Sequence, residues 1–147
     1  MKNMALLIDS NILIDVLCER EEFFDDSKKV FDLCSSGKIT GIIAAHSITN
    51  IFYILRKGYT DAQRRNLLLS LFAYFTISSV DEQKLRAALF RSDFKDFEDS
   101  LQNECAVESN ADCIITRNKK DYEGADVKVY TPKEFIDAFF REDSSGK

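Results

Sequence analysis

Residues 91–102, RSDFKDFEDSLQ, set Asp93, Asp96, Glu98 and Asp99 among Phe94, Phe97 and Leu101. Acids at this density at a helix start have two readings. Asp96 followed three residues later by Asp99 resembles a capping box, and carboxylates are favoured near the positive end of a helix. The same pair can serve a cation, because side chains three apart lie about 60° apart around a helix and can face one point. Two further oxygen-rich groups follow apolar runs: Asp9-Ser10-Asn11 after ALLI, and Thr116-Arg117-Asn118 after ADCII. Singly, each reads as a cap or a turn. Jointly, a few carboxylates with neutral oxygen donors suit a hard divalent cation that keeps several waters. A bound divalent cation lowers the pKa of a coordinated water, so no side-chain nucleophile is required.

The elements around these groups decide whether they can meet. ALLID (5–9) reads as a buried strand running into a helix start. A helix from Glu22 to Ser36 stops at Gly37, and ITGIIAA (39–45) forms a second buried strand. Ser47 is the expected cap of a helix ending near Gly58, and Thr60 opens another. FTISSV (75–80) is a third strand, followed by helices over 81–90 and 96–108. ADCIIT (111–116) and VKVY (127–130) are two more strands, and a last helix begins at Pro132 with Thr131 as its cap. Alternating strands and helices imply a parallel sheet covered on both faces, with sites beyond the carboxyl ends of its strands. Asp9 and Thr116-Arg117-Asn118 then share one edge, and the acidic helix start can face it.

Composition narrows the classes further. With 147 residues, 45% hydrophobic and 31% charged, the chain is expected to form one globular domain over residues 1–141, with EDSSGK (142–147) as a disordered tail. No apolar run approaches the roughly 18 residues needed to span a bilayer, and the start shows no signal-peptide pattern. Four cysteines without a C-x-x-C pair, and a single His, indicate neither a zinc site nor a disulfide framework, so a cytoplasmic protein with reduced thiols is expected. His46, alone, is expected to pack or cap. The net charge of −5 argues against a broadly basic nucleic-acid surface. Local basic clusters remain at Arg56-Lys57, Arg64-Arg65 and Arg117 with Lys119 and Lys120.

The ordered series LLIDSNILID, AAHSITNIFYILRK, DFEDSLQ, ADCIITRNKKDY and YTPKEF resembles the PIN-domain family over residues 5–139, in particular its VapC-like ribonuclease toxins. The resemblance implies a three-layer α/β/α fold around a central parallel sheet of about five strands. It also implies Mg2+- or Mn2+-dependent cleavage of single-stranded RNA, often as the toxin of a toxin-antitoxin pair, with an antitoxin protein and a second copy of the chain as partners. By the same resemblance Asp9 matches the first metal-binding acid, Asp99 the acid on the later helix with Asp96 as its companion, and Asn118 a position held by an acid or asparagine. The family usually carries a Glu on the helix after the second strand; Thr49-Asn50 stands there instead, which removes one charge. Asn50, Thr116 and Asp121 are auxiliary candidates, and Lys57, Arg117 or Lys119 could contact flanking phosphates.

Other readings stay open beside it. A non-catalytic RNA- or protein-binding module is consistent with Asn50 and Asn118 in place of acids. A phosphotransfer domain using Asp9 lacks the second acid two residues on that the dehalogenase pattern needs. A dinucleotide fold is disfavoured, since none of the five Gly forms G-x-G-x-x-G after a strand.

Overall fold

The computed structural model describes residues 3–140, so the expected tail at 142–147 lies outside the described residues. Five short strands form one wholly parallel sheet: β1 (Ala5–Ile8), β2 (Thr40–Ala44), β3 (Phe75–Ser78), β4 (Cys113–Ile115) and β5 (Lys128–Tyr130). Their spatial order is β3-β2-β1-β4-β5. The strand order reverses at β1, which is the point in an open α/β sheet where a crevice opens between outgoing connections. Register places Ile8 beside Ile115, so Asp9 and Thr116, the next residue of each strand, leave the sheet side by side.

Helices cover both faces. One face carries α1 (Ser10–Leu17), α2 (Phe24–Ser35), α3 (Ala45–Ile54), α4 (Asp61–Leu71) and α7 (Pro132–Phe139). Their Ile12, Leu13, Val30, Ile51, Leu68 and Phe135 pack onto Leu6, Ile8, Ile43 and Ile115 of the sheet. The other face carries α6 (Phe97–Glu108), whose Cys105 and Ala106 meet Leu7, Ile42 and Ile114, with α5 (Glu82–Phe90) packed against α6. Strand residues alternate between the two faces as a period of two requires, and each fully buried aliphatic contributes roughly 1.5–3 kcal/mol relative to exposure.

Local chemistry sets the boundaries. Gly37 adopts φ +84°, which ends α2 at no steric cost. Thr60 and Thr131 cap α4 and α7 through complete capping boxes with Gln63 and Glu134. Asp96 caps α6, its carboxylate accepting from the Asp99 N–H at 3.0 Å, so the capping reading of that acid is correct. Ser47 does not cap: α3 starts two residues earlier at Ala45, and the Ser47 hydroxyl is buried inside, accepting from Gln102 Nε2 at 2.9 Å. The sequence placed the cap at the first hydroxyl, whereas the strand turns directly into the helix at Ala44. Gly41 is required by close packing, since a Cβ there would come within 2.6 Å of Phe75 and 2.7 Å of the Cys34 sulfur. Among the described residues the four cysteines are free, three of them buried. No described helix is long and apolar enough to cross a membrane.

Candidate metal centre

Asp9 ends β1 and occupies the cap position of α1, yet its carboxylate makes no cap hydrogen bond and is instead turned into the crevice. It is only 7% exposed. The Thr116 hydroxyl donates to Asp9 Oδ2 at 2.7 Å, the Tyr122 phenol donates to the same oxygen at 3.1 Å, and Asn11 Nδ2 approaches it at 3.4 Å. Burial pushes the Asp9 carboxyl above its usual range, against the Thr116 and Tyr122 hydroxyls, which favour the charged form.

Asp99 reaches the same place from the first turn of α6. Its Oδ1 lies 3.1 Å from the Tyr122 hydroxyl. Partial burial first, and then the neighbouring charges of Asp96 and Asp9, push its carboxyl up to about 7. Two acids ninety positions apart in sequence are thus joined by one phenol. That phenol has a single hydrogen, so it can satisfy only one of the two carboxylates at a time. Burial and both acids raise the Tyr122 pKa and keep it protonated as the donor.

The other expected residues divide. Thr116 is fully buried, and its oxygen both donates to Asp9 and accepts from the Asn118 N–H at 3.1 Å. Asn118 therefore adjoins the centre, its main chain setting the Thr116 hydroxyl. Asn50 Nδ2 approaches Ser10 Oγ at 3.5 Å, which puts it one side chain away from Asp9. Asp121 is exposed and acts on Asp99 through its charge. Asp96 is exposed and caps α6 through Oδ1, and its charge acts on Asp99, so it stands beside the Asp9 and Asp99 pair. Among the described residues no three His, Cys, Asp or Glu side chains converge as a ready cage.

The basic residues expected to contact flanking phosphates are placed as follows. Lys57 lies in a 3₁₀ turn beyond the far end of α3, roughly 15 Å along the helix from the edge where Asp9 sits. Arg117 is turned inward: its Nε pairs with Asp15 at 2.8 Å and its guanidinium stacks on Phe23 at 3.9 Å. Lys119 pairs with Glu134 at 3.1 Å.

Two residues at or near the centre, Tyr122 and Asp15, escaped sequence reasoning, while Asn11 was noted there only as part of the Asp9-Ser10-Asn11 group. The Tyr122 ring is part of the core, standing edge-on to Phe94 at 6.3 Å. Asn11, next to Asp9, leaves its buried amide oxygen unpartnered. Asp15, fully buried in α1, is held by Arg117, by the Ser27 hydroxyl at 3.1 Å and by Arg20 at 3.7 Å. The one available signal for Asp15 was an acid in the middle of the apolar run ILIDVL, which requires a buried partner. His46, expected to pack or cap, caps nothing. Both of its ring nitrogens are buried without a well-formed hydrogen bond. Burial lowers its pKa, opposed by Glu98, Asp9 and Asp96, which places it beside the acidic cluster.

The donor set fits a hard divalent cation. Two carboxylates share one phenol, no basic side chain among the described residues pairs with either, neutral hydroxyl and amide groups surround them, and the spare acceptor of Asn11 adjoins. Two carboxylates with room for retained waters are what Mg2+ and Mn2+ accept, whereas thiolate- and imidazole-rich cages suit zinc.

Comparison with known proteins identifies the family. Ribonuclease VapC1 of Aquifex aeolicus (strain VF5) is 22% identical over 142 residues, covering 93% of this chain and 96% of that protein. The fold matches a toxin-antitoxin complex from Klebsiella pneumoniae with a TM-score of 0.66 at 22% identity, over 86% of this chain and 97% of that one. It also matches VapC20 of Mycobacterium tuberculosis, a Sarcin-Ricin loop cleaving toxin, with a TM-score of 0.60 at 14% identity, over 74% of this chain and 86% of that one. The sequence model of the PIN domain matches residues 5–120, and the chain belongs to the PIN domain family.

Proposed function

We propose that the chain is a divalent-metal-dependent endoribonuclease that hydrolyses phosphodiester bonds in single-stranded RNA, with Asp9 and Asp99 as the principal metal ligands. The observation that carries this is the meeting of those two acids at the carboxyl edge of a parallel sheet, at one shared phenol. Asp96, Thr116 and Asn118 complete the site: Asp96 adds charge, the Thr116 hydroxyl orients Asp9, and the Asn118 main chain fixes Thr116. Bound Mg2+ or Mn2+ supplies charge neutralisation at the phosphate and an acidified water. The chain's own groups hold the cation and exclude competing side chains. The relatives named above support a toxin role, in which an antitoxin protein would bind this chain. Exposed apolar side chains such as Tyr53, Leu69 and Phe72 offer surface for an antitoxin or for a second copy of the chain.

The test is cleavage of end-labelled single-stranded RNA with Mn2+, comparing wild type with Asp9→Asn prepared in parallel. Cleavage that needs both metal and Asp9 is the expected result. Equal cleavage by both proteins would place the activity elsewhere. A second reading, a binding module on the same scaffold, is favoured by Asn50 standing beside Ser10 where the family usually places an acid. RNA binding without Mn2+ binding or cleavage would select it.

A further inference from the structure

Tyr122 closes the 3₁₀ turn Lys119–Tyr122 after β4, and its ring is locked in the core under α6 against Phe94, Leu7 and Ala106. A phenylalanine would fill that space. The hydroxyl has no packing role, and both of its contacts are carboxylates: Asp9 Oδ2 and Asp99 Oδ1, each at 3.1 Å. These acids belong to different elements, β1 and α6, and their charges repel. Among the hydrogen bonds of the described residues, the Tyr122 hydroxyl is the group that touches both, so it limits the two oxygens to at most about 6.2 Å apart. Its own position is fixed, because the ring is 2% exposed and cannot swing away.

We propose that Tyr122 is a positioning residue of the cation site, its hydroxyl donating by turns to the Asp9 and Asp99 carboxylates and so keeping both within reach of one ion before that ion binds. The inference rests on the metal-dependent reading above. Without the hydroxyl, Asp9 keeps Thr116 but Asp99 loses its tie to β1. The α6 acid is then free to rotate towards solvent, since its remaining neighbours Asp96, Asp9 and Asp121 repel it. Outer hydrogen bonds that orient metal-binding carboxylates are worth about 10–100-fold in metal affinity.

Tyr122→Phe removes the hydroxyl and keeps the ring. Mn2+ binding, with no RNA present, is read from the free-ion electron paramagnetic resonance signal for wild type, Tyr122→Phe and Asp9→Asn. Thermal melting in EDTA checks folding. The expected result is Mn2+ binding by wild type, a dissociation constant about 10-fold or more higher for Tyr122→Phe at an undiminished metal-free melting temperature, and loss of binding for Asp9→Asn. In a Mn2+ titration of cleavage, Tyr122→Phe then approaches wild-type rate only at higher metal. Unchanged or tighter Mn2+ binding by Tyr122→Phe, with wild type binding normally, overturns the positioning role and leaves the nuclease reading standing. A lower metal-free melting temperature with unchanged affinity assigns the hydroxyl a structural role and also overturns it. Failure of wild type to bind Mn2+ overturns the metal reading and this inference with it.

Discussion

Replacing Asp99 by Asn keeps the shape of the side chain and its reach to Tyr122 while removing its ability to ionise. In the wild type, partial burial and then the charges of Asp96 and Asp9 raise this carboxyl from 3.8 to about 7. Between those values the folded chain retains a proton that the unfolded chain releases. Stability therefore falls as pH rises through that window and stays at its lower level above about 7. At about 1.4 kcal/mol per pH unit the full gap would cost roughly 4 kcal/mol. Asp99 is partly open to water, and solvent screening reduces the cost to roughly 1–2 kcal/mol. Asparagine carries no such cost. In EDTA at pH 8, Asp99→Asn is expected to melt about 3–6 °C above wild type, a difference that closes as pH falls towards 4. The comparison of the two proteins cancels His46, whose lowered pKa contributes stability that is lost as pH falls below its ordinary value. With Mn2+ added the order reverses, because wild type gains binding energy and the variant does not. Circular-dichroism melts across pH 4–8 measure all of this. A variant less stable than wild type at pH 8, or a difference that does not change with pH, would refute the electrostatic account of Asp99.

Two further outcomes test the scaffold. Gly41→Ala is expected to destabilise by about 1–3 kcal/mol in urea denaturation, because its Cβ would press on Phe75 and on the Cys34 sulfur from opposite elements; a loss below the error of the measurement would contradict that packing. Arg117→Ala leaves the fully buried Asp15 with only Ser27 and the more distant Arg20, and is expected to cost about 3 kcal/mol. Adding Asp15→Asn should recover much of that loss by removing the stranded charge, and an unchanged or larger loss in the double variant would show that Arg117 acts through something other than Asp15.

The parts of the fold legible in the sequence were those written in neighbouring residues. Thr60 with Gln63, Thr131 with Glu134, and Gly37 after α2 are local signals, and each boundary they mark is where it was expected. Asp9 could be placed at the sheet edge because an apolar run stops there and helix-forming residues follow. The site was only partly legible, for reasons of reach and direction. Tyr122 lies 113 positions from Asp9 in the polar run NKKDYEG, where nothing local marks its hydroxyl as emerging between two acids. Asp96 carries both a cap signal and a ligand signal, and the structure bears out the cap, which occupies one carboxylate oxygen. Lys57 and Arg117 were counted as charges, but charge count gives neither the end of α3 on which Lys57 lies nor the buried partner that turns Arg117 inward.

The pairing of β1 with β4, Leu7 against Ile114, has a consequence for when the centre comes into being. Asp9 is synthesised 107 residues before Thr116 and 113 before Tyr122. A contact of such sequence separation closes late, after the local helices and the β1-β2 pairing can already have formed. A partly synthesised chain therefore carries its acids without an assembled site. For the nuclease proposed above, that order of events leaves the chain without an assembled metal site until the β4 segment has been made.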